Sequence, residues 1–289
     1  MERSVSALAL VREGETLLFE CGEGTQRQMM RYGVGFAVSD VFFSHFHADH
    51  FLGIIGLVRT LGLQGRTDPM RLFGPRGAKR LLTSAMNLGV ERVPFEVEVV
   101  ELEPGVALHR GDYDLLTFAA DHGANALGYV LVEKDRLGKF DPARAKELGV
   151  PEGPLWGRLQ RGETVTLDDG RTVAPDTIVG APRPGRKVVY SGDSRPCPAT
   201  IEAAIGADLL VHEATFGAEE ADRARETDHA TAREAAEVAR MAKVRRLVLT
   251  HVSARYSRDS GPLLEEARAV FPETVVARDG MEVEVGYRE

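Results

Sequence analysis

The chain has 289 residues, 43% of them hydrophobic, and carries 44 acidic residues against 36 lysines and arginines, a net charge of -8. That length and apolar content suffice for a buried core and speak against disorder, while the acidic balance argues against a general nucleic-acid or anionic-membrane binder, so any such contact must be local. With no apolar run long enough to span a bilayer, no secretory leader and only two distant cysteines, Cys21 and Cys197, a soluble cytoplasmic protein is expected.

The opening predicts a hairpin, with apolar runs Val5 to Val11 and Thr16 to Phe19 around the turn Arg12-Glu13-Gly14-Glu15. A Gly-rich loop follows. DVFFSH then reads as a short buried strand and FLGIIGLVRTLGL as a helix, so the histidines between them sit on a strand-to-helix connection. Further strands are predicted at MRLFGP, FEVEVVEL, LLTFAA and LGYVLVE, and RGAKRLLTSAMNLG predicts an amphipathic helix ending at Gly89. From about Leu137 to Lys187 the texture changes to proline, glycine and charge, which marks an inserted arm, 137–187. Within it ETVTLDDGRTV alternates around an Asp-Gly turn and predicts a small hairpin. Strands return at KVVYSGD, ADLLVHEA and RRLVLTH, and TAREAAEVARMAK predicts a helix opened by a capping box, Thr231 with Glu234. PLLEEARAVF, TVVARD and MEVEVGY add one helix and two strands. Hairpins first and βα units later predict an α/β fold, a sheet sandwich covered by helices, in a single domain over 1–289 interrupted by the arm.

Three of the chain's eight histidines fall within one short stretch, SHFHADH. In extended backbone, residues two apart point the same way, so His45 and His47 can address one metal ion while the following turn brings Asp49 and His50 toward a second. Other strands end in matching residues: LLTFAADH in His122, VVYSGD in Asp193 and LVLTH in His251. His45, His47 and His122 with Asp193 can close around one ion, and Asp49, His50 and His251 with the other oxygen of Asp193 around the second. Imidazole and carboxylate donors without thiolate suit zinc, with manganese or iron as alternatives, and a two-metal centre is the arrangement expected for phosphodiester hydrolysis. VHEATF adds His212 and Glu213, and TDHATARE adds His229; Glu213 with His229 is a candidate carboxylate–imidazole pair for delivering a proton to a leaving oxygen. His109 lies outside any motif and reads as surface.

These residues resemble the metallo-β-lactamase fold, an αββα sandwich of two mixed sheets covered by helices, and within it the ribonuclease Z family, endonucleases that mature the 3′ end of precursor tRNA. SHFHADH, His122, Asp193 and His251 carry the general match; HEATF, DHATAREAAEVA, LTHVSARY, CGEGTQRQ and the arm segment LGVPEGPLWGRLQRGETVTLDDG carry the narrower one. The resemblance implies two zinc ions per subunit on those seven ligands, Glu213 with His229 as the proton-delivering pair, and Asp49 as a candidate for activating the attacking water. It also implies that the arm is an exosite gripping precursor tRNA, with Gly153-Pro154 as its Gly-Pro element, and that the enzyme is a homodimer. Between Leu155 and Lys187, six basic residues against four acidic ones leave +2 in an acidic chain. Arg158, Arg161 and the other arginines, with Trp156, are candidates for pairing with or stacking on folded RNA. Arg255 in SARY is a candidate phosphate contact.

The sequence departs from the family pattern twice. The family begins with a strand and a Gly-Thr-rich loop upstream of what is here Val5, so an unpaired sheet edge is expected. Glu20 also stands where aspartate is usual, which would alter the support of the metal loop. Two rival functions follow. One is a dinuclear phosphodiesterase or esterase for small molecules, disfavoured by the basic arm; the other is a metal-bearing but inactive RNA-binding protein, disfavoured by the full set of ligand positions.

Overall fold

The computed structural model describes residues 3–90 and 92–288. Two sheets form its frame. The first contains β1 (Leu8–Arg12), β2 (Glu15–Phe19), β3 (Val38–Phe42), β4 (Met70–Gly74) and β5 (Val97–Glu101) in that order, with β1 and β2 an antiparallel hairpin and the rest parallel. The second draws on β6 (Gly105–His109), β7 (Tyr113–Ala119) and β8 (Leu127–Glu133). After the small hairpin of β9 (Val165–Thr166) and β10 (Thr172–Val173), it continues with β11 (Lys187–Tyr190), β12 (Leu209–Glu213), β13 (Leu247–Thr250) and β14 (Thr274–Val276). Its order is β14-β13-β12-β11-β8-β7-β6, parallel from β11 to β14.

Period-two alternation assigns the two faces of the first sheet. Phe19, Phe42 and Phe73 stack inward, with centroids 5.2 and 4.7 Å apart, and meet Tyr129 of β8 and Tyr190 of β11 from the second sheet. Leu18, Val41 and Leu72 point the other way, into a core with Ile54, Leu57, Val58 and Leu61 of the helix Gly53–Leu63 and Leu82 of the helix Ala78–Met86. On the outside of the second sheet, the helix Ala232–Met241 packs against β12 and β13, and the helix Gly261–Arg268 against β14. The result is the αββα sandwich expected from the sequence. The capping box is formed as well: Thr231 Oγ1 accepts from the Glu234 amide at 3.2 Å, and Glu234 accepts from the Thr231 amide at 2.9 Å.

Several short helices were not expected, among them Pro198–Ala204 and Ala221–Glu226, and three further elements depart from the sequence reading. The Gly-rich loop gives way to a helix, Thr25–Tyr32, bounded by Gly24 and Gly33 at φ 81° and 71°; it buries only Thr25 and Met29, one turn apart, too few for a visible apolar period. β6 forms where no strand was expected. Conversely, MEVEVGY alternates correctly but makes no strand among the described residues, because a strand needs a paired neighbour and β14 is the outermost strand of its sheet. β1 is likewise outermost in the first sheet.

The chain divides into two compact units, a second one being built mainly on 132–186. That unit has its own core, in which Ala145, Val150, Leu159, Val165, Leu167, Val173 and Ile178 are buried. The expected hairpin is β9–β10, and two short helices, Pro142–Glu147 and Pro154–Gln160, accompany it.

Candidate active site

The metal-ligand candidates lie on loops at the carboxyl ends of strands, where side chains leave the sheet and converge. His45 and His47 follow β3, and His47 begins the short helix Ala48–Phe51 that carries Asp49 and His50. His122 follows β7, Asp193 follows β11, Glu213 ends β12 and His251 follows β13. His229 stands just ahead of the helix Ala232–Met241. All nine residues belong to one compact unit and come together. Imidazole centroids are 4.2 Å apart for His45 and His50, 4.8 Å for His45 and His122, and 5.1 Å for His50 and His251.

Asp193 Oδ2 is the hub, 3.2 Å from His50 Nε2, 3.3 Å from His251 Nε2 and 3.8 Å from His45 Nε2. Asp49 Oδ2 adds contacts of 3.3 Å to His251 and 3.6 Å to His50, and His47 Nδ1 lies 3.2 Å from His122 Nε2. The ring nitrogens turned away from the centre are held from outside. His45 Nδ1 meets Ser44 Oγ at 2.9 Å, His122 Nδ1 the Asp228 carbonyl at 2.8 Å, and His251 Nδ1 Thr215 Oγ1 at 2.8 Å. Such outer contacts fix which nitrogen faces inward.

The inward atoms fit a cation. His45 Nε2, His50 Nε2 and Asp193 Oδ2 are buried without a hydrogen-bond partner; the 3.2 Å approach of His50 to Asp193 is not aligned as a hydrogen bond. Buried polar atoms are ordinarily satisfied, so a cluster of orphans aimed at one point fits divalent ions there. Charge agrees. Burial, reinforced by His50, pushes His45 down to about 2, and burial with His122 lowers His47, leaving neutral imidazoles. Burial also acts against protonated His50, but Asp193 and Glu20 overcome it and raise the group to about 11. Asp193 is held well below the usual carboxylate range: burial opposes this, and His251 and His50 outweigh it.

Glu20, the unusual acid, is fully buried with a left-handed backbone, φ 61°. Its Oε1 accepts from the Ser44 amide at 3.0 Å and Oε2 is 3.7 Å from His50 Nδ1, so it braces both ends of the metal loop. Glu213 Oε1 is 2.8 Å from His229 Nδ1, and the Ser194 and Thr215 amides, each at 3.1 Å, hold the carboxylate in place. His212 is buried facing its own strand end, with Nδ1 2.7 Å from the Glu213 carbonyl. His109 is exposed beside Asp114, as expected of a surface residue.

The remaining candidates behave differently. Arg255 pairs with Glu220. In the unit built on 132–186, Gly153 adopts φ 134° and Pro154 starts a helix, while Arg158 and Arg161 both contact Glu163, at 2.8 and 3.5 Å. Trp156 is not a free stacking platform: it packs on Phe140 at 5.1 Å and donates Nε1 to the Val150 carbonyl, because this small core needs its area. Sequence reasoning missed Ser44, Thr215 and Arg195. Arg195 bridges Asp121 and Asp228, each at 2.9 Å, and these are the residues just before His122 and His229. Ser44 stands directly before His45, which was the available signal for it, whereas Thr215 meets His251 across 36 residues and offered none.

The fold and this histidine–carboxylate centre define a metallohydrolase, and residues 15–138 and 166–252 match the model of the β-lactamase superfamily domain. The chain is 60% identical over 291 residues to the ribonuclease Z of Gemmatimonas aurantiaca (100% of this chain, 93% of the relative) and 57% identical over 290 to that of Myxococcus xanthus (100% and 94%). The crystal structure of human tRNase Z, short form, superposes with a TM-score of 0.71 at 26% identity, covering 99% of this chain and 94% of the other. The chain belongs to the ribonuclease Z family.

Proposed function

We propose that this protein is the endoribonuclease that removes the 3′ trailer from precursor tRNA, hydrolysing the phosphodiester after the discriminator base to leave a tRNA 3′-hydroxyl and a 5′-phosphorylated trailer. The observation that carries the reading is the 2.8 Å contact of Glu213 with His229 within a ring of cation donors. His45, His47, His122 and Asp193 would hold one ion and Asp49, His50, His251 and Asp193 the other; the predominance of imidazole donors favours zinc over manganese. When bound, two such ions supply Lewis acidity, activating water and neutralising charge that develops on the phosphate. Asp49, whose side chain is 45% exposed, is the acceptor open to incoming water and takes its proton as the phosphorus is attacked. Glu213 accepts a hydrogen bond from His229 Nδ1–H and so stabilises the imidazolium form, whose Nε2 proton passes to the departing ribose oxygen as the P–O bond breaks, leaving a neutral imidazole.

In this reading the arm residues Gly153, Pro154, Arg158 and Arg161 engage the tRNA body, and Arg255 contacts phosphate. Their ion pairs lie at the surface, where phosphate oxygens readily replace a carboxylate partner. The reading includes a cytoplasmic homodimer, for which sedimentation of the purified protein is the check. The deciding experiment is cleavage of a precursor tRNA carrying a 3′ trailer, with product ends mapped, for the protein and its His229→Ala variant. Cutting after the discriminator base, lost in the variant, is expected. Absence of cutting by folded, zinc-replete protein would overturn the proposal.

A further inference from the structure

Thr215 lies two residues beyond Glu213 and is buried, 7% exposed, with its hydroxyl between two members of the site. Oγ1 is 2.8 Å from Glu213 Oε2 and 2.8 Å from His251 Nδ1. A hydroxyl has one proton to give. Glu213 already takes the Ser194 amide, the Thr215 amide and His229 Nδ1, so it is an acceptor on every side. The Thr215 proton therefore goes to Glu213, and the lone pairs of Oγ1 must receive the proton of His251 Nδ1.

That direction fixes His251. With Nδ1 carrying the proton, Nε2 presents a lone pair toward Asp49 Oδ2 and Asp193 Oδ2, each 3.3 Å away. Three lone-pair atoms facing one another call for positive charge among them, a metal ion or a second proton on Nε2 donated to Asp49 at 3.3 Å, and a bound ion takes the place of that proton. The backbone of His251 is left-handed, φ 51°, a conformation of higher energy for a side-chain-bearing residue that persists only where its surroundings hold it. Thr215 supplies that hold twice, since its carbonyl also accepts from the Ser253 amide at 3.2 Å. As a β-branched residue it has a restricted χ1, and the contacts to Glu213 and His251 hold the hydroxyl between them.

We infer that Thr215 is a positioning residue that sets His251 in the Nδ1–H form and ties this ligand to the proton-delivering carboxylate. The cation donors and the acid pair are then one hydrogen-bonded unit: His251, Thr215, Glu213, His229. The inference rests on the two-cation reading of the site but not on the substrate. It is tested with Thr215→Val, which keeps the shape without the hydroxyl, and Thr215→Ser, which keeps the hydroxyl. Three quantities are measured on full-length protein: zinc bound after dialysis against a graded chelator, kcat and KM on a precursor tRNA, and the melting temperature of the metal-stripped form. In Thr215→Val the weaker of the two zinc affinities falls about 10- to 100-fold, the range for losing an outer partner of a metal ligand. Its kcat falls with KM within about twofold, as for a group acting through others, and Thr215→Ser restores both. Should the valine variant fail to fold, Thr215→Ala is read the same way. Zinc held by the valine variant as tightly as by the parent overturns the inference, as does a serine variant as impaired as the valine one. Failure of the parent to cut tRNA while zinc retention follows this pattern would sink the substrate proposal alone.

Discussion

Carboxylates in the two compact units are placed in opposite ways. Around the histidines most are buried, with Glu20 and Glu213 at 0% and Asp193 at 2% exposure, Asp49 with its 45% exposed side chain being the exception. In the unit built on 132–186, Glu163, Asp169, Glu152 and Glu147 pair with Arg158, Arg171, Lys146 and Arg144 at the surface, Glu133 with Arg186 being the buried exception. The difference teaches where a substitution is felt. A buried charge that loses its partner is left uncompensated, whereas an exposed one exchanges its partner for water or another anion.

The strongest way to break this contrast is at the hub. Asp193→Asn is expected to lose bound metal and to lower turnover beyond the roughly 100-fold cost of an outer partner, as read by zinc analysis beside tRNA cleavage. His229→Ala should slow cleavage by about 10²- to 10⁴-fold, the usual worth of a positioned acid, while retaining zinc; loss of zinc in this variant would move His229 into the ligand set.

Two glycines sharpen the comparison on the side of stability. A Cβ on Gly53 would lie 1.8 Å from the Gly22 carbonyl oxygen, and one on Gly138 would lie 1.7 Å from that of Gly180. Backbone cannot yield as a side-chain tip can, so each alanine should cost about 3 kcal/mol or more, at or above the upper end for overpacking. Gly53→Ala is expected to lower zinc retention along with melting temperature, and Gly138→Ala to spare zinc while weakening tRNA binding. Equal zinc loss in both would mean that the two units do not respond separately.

At the surface, Arg158→Ala with Arg161→Ala should raise KM for precursor tRNA with kcat unchanged and flatten the salt dependence of binding by about two in log–log slope. A fall in kcat instead would argue against the exosite role. The smallest effect concerns Cys21, whose thiol is pushed up to about 12 by burial. The folded form binds this proton more tightly than the unfolded chain, so its contribution to stability is complete below about pH 9 and declines as pH rises toward 12. Native protein at pH 8 should take up iodoacetamide at Cys197 alone, and early labelling of Cys21 in intact-mass measurements would contradict the buried placement.

The parts of the site legible in the sequence are those encoded by residue type. His45, His47, Asp49 and His50 stand out by density, and His122, Asp193 and His251 by closing predicted strands. Thr215, Ser44 and the Asp228 carbonyl were not legible in their roles, because each acts through a contact that the fold creates and a backbone carbonyl belongs to every residue alike. The same limit applies to the fold. Short apolar runs disclosed β2, β3 and β4, which face cores on both sides, but neither a run nor an alternating pattern can report whether a partner lies alongside, which is why MEVEVGY was read as a strand. Trp156 was misread for a related reason: composition marked a polar arm, and only the packed structure shows that the arm needs the indole for its interior.

Phe216 and Thr231 are bridged in parallel, with the Phe216 amide donating to Ala230 and the Ala232 amide donating to Phe216. The chain between them, 217–230, thus leaves and returns at two points held together by backbone, and Glu213 and His229 sit just outside and just inside that closure. The excursion, with its helix Ala221–Glu226, is a loop closed at its neck. The closure is reinforced from within, because the His229 amide donates to the buried Ala224 carbonyl at 2.8 Å: a change of length on either side of the neck, between Glu213 and Phe216 or between Ala224 and His229, would misalign the acid and its carboxylate.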